Sequence, residues 1–160
     1  WPHSCFKGVI HWLEGRGRGN EGAHGCLPRG SGMKLIGIGI DVVEVSRVKS
    51  SLDEFGERFL NRIFTSAERE YCNRQKRPEI HLAARFAAKE AISKAFGTGI
   101  GKEIGWLDIE IIRRDTGEPE VRLHGDATIL AKKCEATEVK VSLSHTQHYA
   151  AANAVVMGCE

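Results

Sequence analysis

The chain has 160 residues, of which 41% are apolar, and 23 Lys and Arg stand against 21 Asp and Glu. That length accommodates one ordinary domain with a workable core. With no run approaching ~18 apolar residues it excludes a helical membrane span, and its near-balanced charge argues against a general nucleic-acid partner.

Residues 1–32 hold eight of the 18 glycines and show neither helical nor strand period. They read as a flexible lead-in that cannot bury enough apolar surface to offset its ordering entropy, which places the domain at 33–160. Setting aside Lys7, Arg16, Arg18 and Arg29 against Glu14 and Glu21 leaves that domain formally neutral. His3, Cys5, His11, His24 and Cys26 match no standard zinc spacing.

Residues 34–40 read as a first strand and 44–55 as a helix with Val45, Val48 and Leu52 on one side, so Asp41 is expected at a strand-to-helix junction. Two short helices follow at 56–64 and 66–75, the second with Ser66 as its N-cap and Glu68 and Glu70 in its first turns. Pro78 opens a long central helix that Gly97 stops. Beyond it the period changes. Strands at 106–113 and 120–124 flank the turn residues Asp115, Gly117 and Pro119, a helix covers 125–135, and strands at 139–144 and 149–157 close the chain. The pattern predicts an α+β fold with helices packed on a largely antiparallel sheet.

The central helix carries the chemistry. Ala83, Ala87, Glu90 and Lys94 fall in one row at helical spacing, an acid and a base whose small neighbours are expected to leave room for a ligand. Asp41 and Glu90 are hard oxygen ligands of the kind that suit magnesium, which is commonly completed by waters and substrate phosphate. An N-cap role for Asp41 fits its residue type equally well. Gly97, Gly99 and Gly101 follow Lys94 directly, so backbone can approach a phosphate there, although no Walker A loop is present. The five cysteines, Cys5, Cys26, Cys72, Cys134 and Cys159, are odd in number and scattered. Reduced thiols and a cytoplasmic location are the expectation.

Residues 37–48 (GIGIDVVEVSRV), 86–101 (FAAKEAISKAFGTGIG) and 142–146 (SLSHT) stand in the order of one family. Together they resemble the holo-acyl-carrier-protein synthases, the short class of 4′-phosphopantetheinyl transferases. The resemblance covers residue 33 to about 157. It implies that a serine of apo-acyl carrier protein attacks the β-phosphorus of coenzyme A, releasing adenosine 3′,5′-bisphosphate, in fatty-acid biosynthesis. It implies magnesium on Asp41 and Glu90, catalysis by Glu90 and Lys94, and coenzyme contacts from Arg85, Lys94, Gly97, Gly99 and His145. The serine proton goes either to Glu90 through a metal-bound water or to a metal-bound hydroxide, and the residue types fit both. Arg47 matches a position that meets the acidic carrier protein. With Arg58 and Arg62 it lies in a locally basic stretch running from 47 to 77. The short class implies a homotrimer with active sites at subunit contacts. Two other readings stand beside it: a basic-faced adaptor without enzymatic activity, for which Arg47, Arg58 and Arg62 suffice but which leaves Asp41, Glu90 and Lys94 without a purpose, and a magnesium-dependent phosphohydrolase using the same acidic pair.

Overall fold

The computed structural model describes residues 32–159, so the expected lead-in and its candidate metal residues lie outside the described residues apart from Gly32. The fold is α+β. Its elements in chain order are β1 (Met33–Glu44), α1 (Val45–Phe55), α2 (Glu57–Ile63), α3 (Ser66–Asn73), α4 (Pro78–Ala95), a 3-10 turn (Trp106–Asp108), β2 (Ile109–Arg113), β3 (Pro119–Leu123), α5 (Gly125–Lys133), β4 (Ala136–His145) and β5 (Tyr149–Cys159). The last strand takes the centre of an antiparallel three-stranded sheet ordered β1-β5-β4, and β2 and β3 form a separate hairpin.

Small residues let α4 lie close on that sheet. Ala91 and Ala95 of the helix are buried against Gly37 and Gly39 of β1, while Ala150, Ala152 and Ala154 of β5 are buried on the same side. A Cβ on Gly37 would stand 2.0 Å from the Ala95 carbonyl oxygen, and one on Gly39 would stand 1.9 Å from that of Ala91. Glycine at both positions is therefore a steric requirement, since nothing larger fits between strand and helix. An irregularity in register between Leu35 and Gly37 sets the side-chain alternation of the rest of β1. Beyond it Gly37, Gly39 and Asp41 share a parity on the helix side and Ile38, Ile40 and Val42 point away. That outer row stays 59 to 62% exposed.

Several sequence expectations shift here. The small residues Ala83 and Ala87 are both fully buried in the two apolar cores, so they make room for packing rather than for a ligand. Asp41 is not at a strand end: β1 continues to Glu44 because β5 pairs with it through Glu44↔Tyr149. The cap of α3 is Thr65, not Ser66. Thr65 accepts from the Glu68 backbone nitrogen while its own nitrogen donates to the Glu68 carboxylate, a reciprocal arrangement that satisfies two orphan groups. Trp106 to Asp108 form a 3-10 turn, so the hairpin strand begins only at Ile109.

Candidate active site

Asp41, Glu90 and Lys94 meet where the centre of β1 crosses the second half of α4. Lys94 Nζ donates to Asp41 Oδ1 at 2.8 Å and to the Ile40 carbonyl oxygen at 3.3 Å. The Asp41 side chain keeps 16% of its exposure and that of Lys94 keeps 49%, so the pair forms the wall of an open cleft. Glu90 stands one turn before Lys94 on the same face. Partial burial lifts its carboxyl above the usual carboxylate range, the Asp41 charge adds to that, and Lys94 opposes it. The hydrogen bond to Asp41 holds the Lys94 ammonium above its ordinary value. Two carboxylates and one ammonium therefore leave the cleft one negative charge in excess when all are ionised.

That crowding tests the fit of a cation. Like charges sharing a site disfavour ionisation, and a divalent ion between them would reverse that effect. Among the described residues no group of three or more His, Cys, Asp and Glu side chains gathers to hold a metal. Two carboxylates suit an ion that retains waters and takes phosphate oxygens.

The helix frames this site from below. Lys89, next to Glu90 in sequence, is wholly buried and ion-pairs with the equally buried Glu68 at 2.8 Å. Its ammonium also donates to the carbonyl oxygens of Ile63 and Trp106, and Glu68 accepts from the Ile111 nitrogen. Burial pulls the Lys89 ammonium below its ordinary value and Glu68 pulls it back. The pair thus ties α2, α3, the 3-10 turn and β2 to the turn of α4 that carries Glu90. Nothing in residue spacing announced it, although a Lys set among alanines was a visible signal.

Gly97, Gly99 and Gly101 all have positive φ, at 76°, 69° and 101°. The nitrogens of Thr98 and Gly99 bond back to the Ser93 carbonyl oxygen, closing α4. An added Cβ at any of the three glycines would meet nothing within 4 Å, so backbone geometry and not crowding requires glycine there.

Arg85 and His145 do not join the acidic cluster. His145 ends β4, the edge strand opposite β1, with β5 between. It packs against His81 with ring centroids 5.2 Å apart. Arg85 is buried, stacked at 4.3 Å over the Tyr71 ring, and Arg113 donates to the Tyr71 hydroxyl at 3.1 Å. A second, cationic cluster therefore lies toward the start of α4. His81 and Glu90 are nine residues apart, which at ~100° per residue turns them to opposite sides of the helix. Sequence reading missed His81, which stands one helical turn before Arg85.

Arg58 and Arg62 flank an aromatic groove of about 500 Å³ lined also by Phe55, Phe59, Ile63, Phe86 and Trp106. Phe86 stands one turn before Glu90 on the same row of α4, so the groove and the acidic residues are one helical turn apart. Arg47 is exposed on α1.

A family model for the 4′-phosphopantetheinyl transferase superfamily matches residues 37–154, which include both clusters, and the chain belongs to that superfamily. Its relatives place it more narrowly, among the holo-[acyl-carrier-protein] synthases. It is 44% identical over 120 residues to the holo-[acyl-carrier-protein] synthase of Protochlamydia amoebophila, spanning 75% of this chain and 96% of that one. Among solved structures it is similar to the holo-(acyl-carrier-protein) synthase of Bacillus anthracis in complex with CoA (3′,5′-ADP), at 39% identity and TM-score 0.66 over 79% of this chain and 99% of that one. The Helicobacter pylori holo-[acyl-carrier-protein] synthase in complex with coenzyme A is similar at 33% identity and TM-score 0.67, over 74% and 98% of the respective chains.

Proposed function

We infer that the chain transfers 4′-phosphopantetheine from coenzyme A to a serine of apo-acyl carrier protein, releasing adenosine 3′,5′-bisphosphate, in fatty-acid biosynthesis. The observation that carries this reading is the convergence of Asp41, Glu90 and Lys94 between two elements far apart in sequence. Asp41 and Glu90 would hold magnesium, which when bound supplies positive charge against the phosphate oxygens. Lys94 places an ammonium beside the same cleft and offsets charge as it develops on the leaving phosphate. Glu90 would accept the serine proton through a water, and Gly97 and Gly99 would let the backbone pass the coenzyme without side chains. Arg58 and Arg62 beside the aromatic groove, with the exposed Arg47, would offer a basic face to an acidic carrier protein. Residues 33–160 form the transferase domain, acting in the cytoplasm.

Arg85 and His145 are assigned to a coenzyme phosphate, contributed by a second copy of the chain. Asp41 and His145 occupy opposite edges of one sheet and the two clusters face different sides of α4. A head-to-tail contact between copies brings β1 of one toward β4 of the next, and such contacts close into rings. Leu35, Ile38, Ile40 and Val42, all more than half exposed on the outer face, supply the apolar surface for a homotrimer.

The deciding assay incubates the chain with coenzyme A, apo-acyl carrier protein and magnesium and follows carrier mass and free phosphate together. Transfer is expected, without phosphate release. Either a chelator or Glu90→Gln should abolish it. Phosphate release from coenzyme A without carrier modification would identify a hydrolase, and carrier binding with neither product would identify an adaptor.

A further inference from the structure

The cationic cluster contains one more titratable group than the assigned contacts use. His81, half-buried on α4, packs edge-to-face on His145 at an interplanar angle of 71° and approaches Tyr71 of α3 at 6.0 Å between centroids. Arg85, one turn on, donates to the His81 carbonyl oxygen at 3.4 Å. Its Nε is buried with no hydrogen-bond partner, an orphaned donor of the kind that calls for an explanation. Arg113 of β2 reaches the same place through the Tyr71 hydroxyl. The acid facing the group is Glu79, itself held by Arg77 at 3.0 Å. Two guanidinium groups, Arg85 and Arg113, and one acid, Glu79, thus surround the imidazole pair.

We propose that His81 is a proton-linked anion ligand of the coenzyme phosphate subsite, taking up a proton beside His145 and Arg85 when the phosphate binds. This deepens the reading of Arg85 and His145 as phosphate contacts and rests on it.

The physical argument runs through the crowding of like charge. In the free chain, burial lowers the proton affinity of His81 below the ordinary imidazole value, and His145, Arg85 and Arg113 lower it further against the weaker pull of Glu79. A phosphate dianion placed against His145 cancels that repulsion and accepts a bond from a charged ring, so protonation becomes favourable in the bound state. His81 then binds its proton more tightly with the ligand than without. Linkage fixes the sign: its contribution to affinity is fully present below the free-state value and is lost as pH rises through the bound-state value. The window opens at the free-state value, which lies below that of an ordinary imidazole, and closes at the higher bound-state value.

The test uses adenosine 3′,5′-bisphosphate as probe and isothermal titration of the full chain from pH 5.5 to 8.5 without magnesium, in two buffers of different ionisation heat. His81→Phe keeps an aromatic ring, and His81→Gln keeps a polar group without the charge. The phosphate's own titration is common to all proteins and cancels in the ratio of wild-type to variant affinity. That ratio is expected to rise from near 1 at pH 8.5 to roughly tenfold at pH 5.5, the worth of one charge-assisted hydrogen bond. Wild type should take up more protons than either variant. A ratio that does not change with pH, with equal proton uptake, overturns the proposal. Arg85→Gln and His145→Gln separate the two levels. If both weaken the probe while His81 variants keep wild-type uptake, the phosphate subsite stands and His81 falls; if neither weakens it at any pH, the subsite assignment falls as well.

Discussion

Gly39→Ala perturbs the cleft without touching a reacting group. The added carbon would stand 1.9 Å from the Ala91 carbonyl oxygen and 2.8 Å from the Ala95 nitrogen, both backbone atoms of α4. Carbon and oxygen approach no closer than about 3.3 Å in ordinary contacts, so β1 must withdraw from α4 by roughly 1.4 Å. Asp41 lies two residues on and on the same side of the strand, and its 2.8 Å contact with Lys94 stretches beyond hydrogen-bonding reach. Overpacking of this kind costs about 1–3 kcal/mol. For a domain of this size that lowers Tm by roughly 5–15 °C. Misplacing a reacting constellation by ~1 Å costs about 100-fold in rate. Thermal unfolding followed by circular dichroism, with transfer measured at saturating coenzyme A and carrier, reads both effects on one preparation. A Gly39→Ala protein with wild-type Tm and wild-type kcat would refute the claim that close strand-to-helix contact positions the acidic cleft.

Lys94→Ala should lower kcat about 100-fold or more, as loss of a charge-stabilising donor does, with less change in KM for coenzyme A, and Lys94→Arg should restore only part of it; a rise in that KM alone would make Lys94 a uniform binding residue. Arg47→Glu should raise KM for the carrier protein and flatten its salt dependence while leaving KM for coenzyme A unchanged, because charge steering acts over a Debye length of about 8 Å. Equal carrier kinetics at low salt would remove Arg47 from the docking face.

The elements themselves were legible because their signals are local. Pro78 and the glycine at 97 bracket α4, the turn residues at 115, 117 and 119 mark the hairpin, and the change of period after residue 105 separates helices from strands. The pairing of the first strand with the last is not local, and it is what carries β1 past Asp41 to Glu44. The alanines of α4 show the same limit from another side. Small residues on a helix look alike whether they face a ligand or a packed core, and what lies across from them decides it: Gly37 and Gly39 for Ala95 and Ala91, the two apolar cores for Ala83 and Ala87. Asp41, Glu90 and Lys94 could be named from the resemblance, and the structure adds that two of them touch. The cationic cluster draws Tyr71, His81, Arg113 and His145 from α3, α4, β2 and β4, a juxtaposition that no spacing along the chain encodes. The buried Lys89 and Glu68 were hidden for a further reason: charged residues are almost never fully buried unless paired, so each reads as surface until its partner is known.

The central position of β5 has a consequence for synthesis on the ribosome. Both β1 and β4 pair with β5 and neither pairs with the other. During translation the two edge strands emerge first, their ladder groups bonded to water, and wait for a partner that follows both. Asp41 is held in register opposite Ala152 and His145 opposite Ala150, so neither cluster is assembled until β5 has left the exit tunnel. A nascent chain stalled before residue 149 would carry every residue assigned to the chemistry and have no competent site.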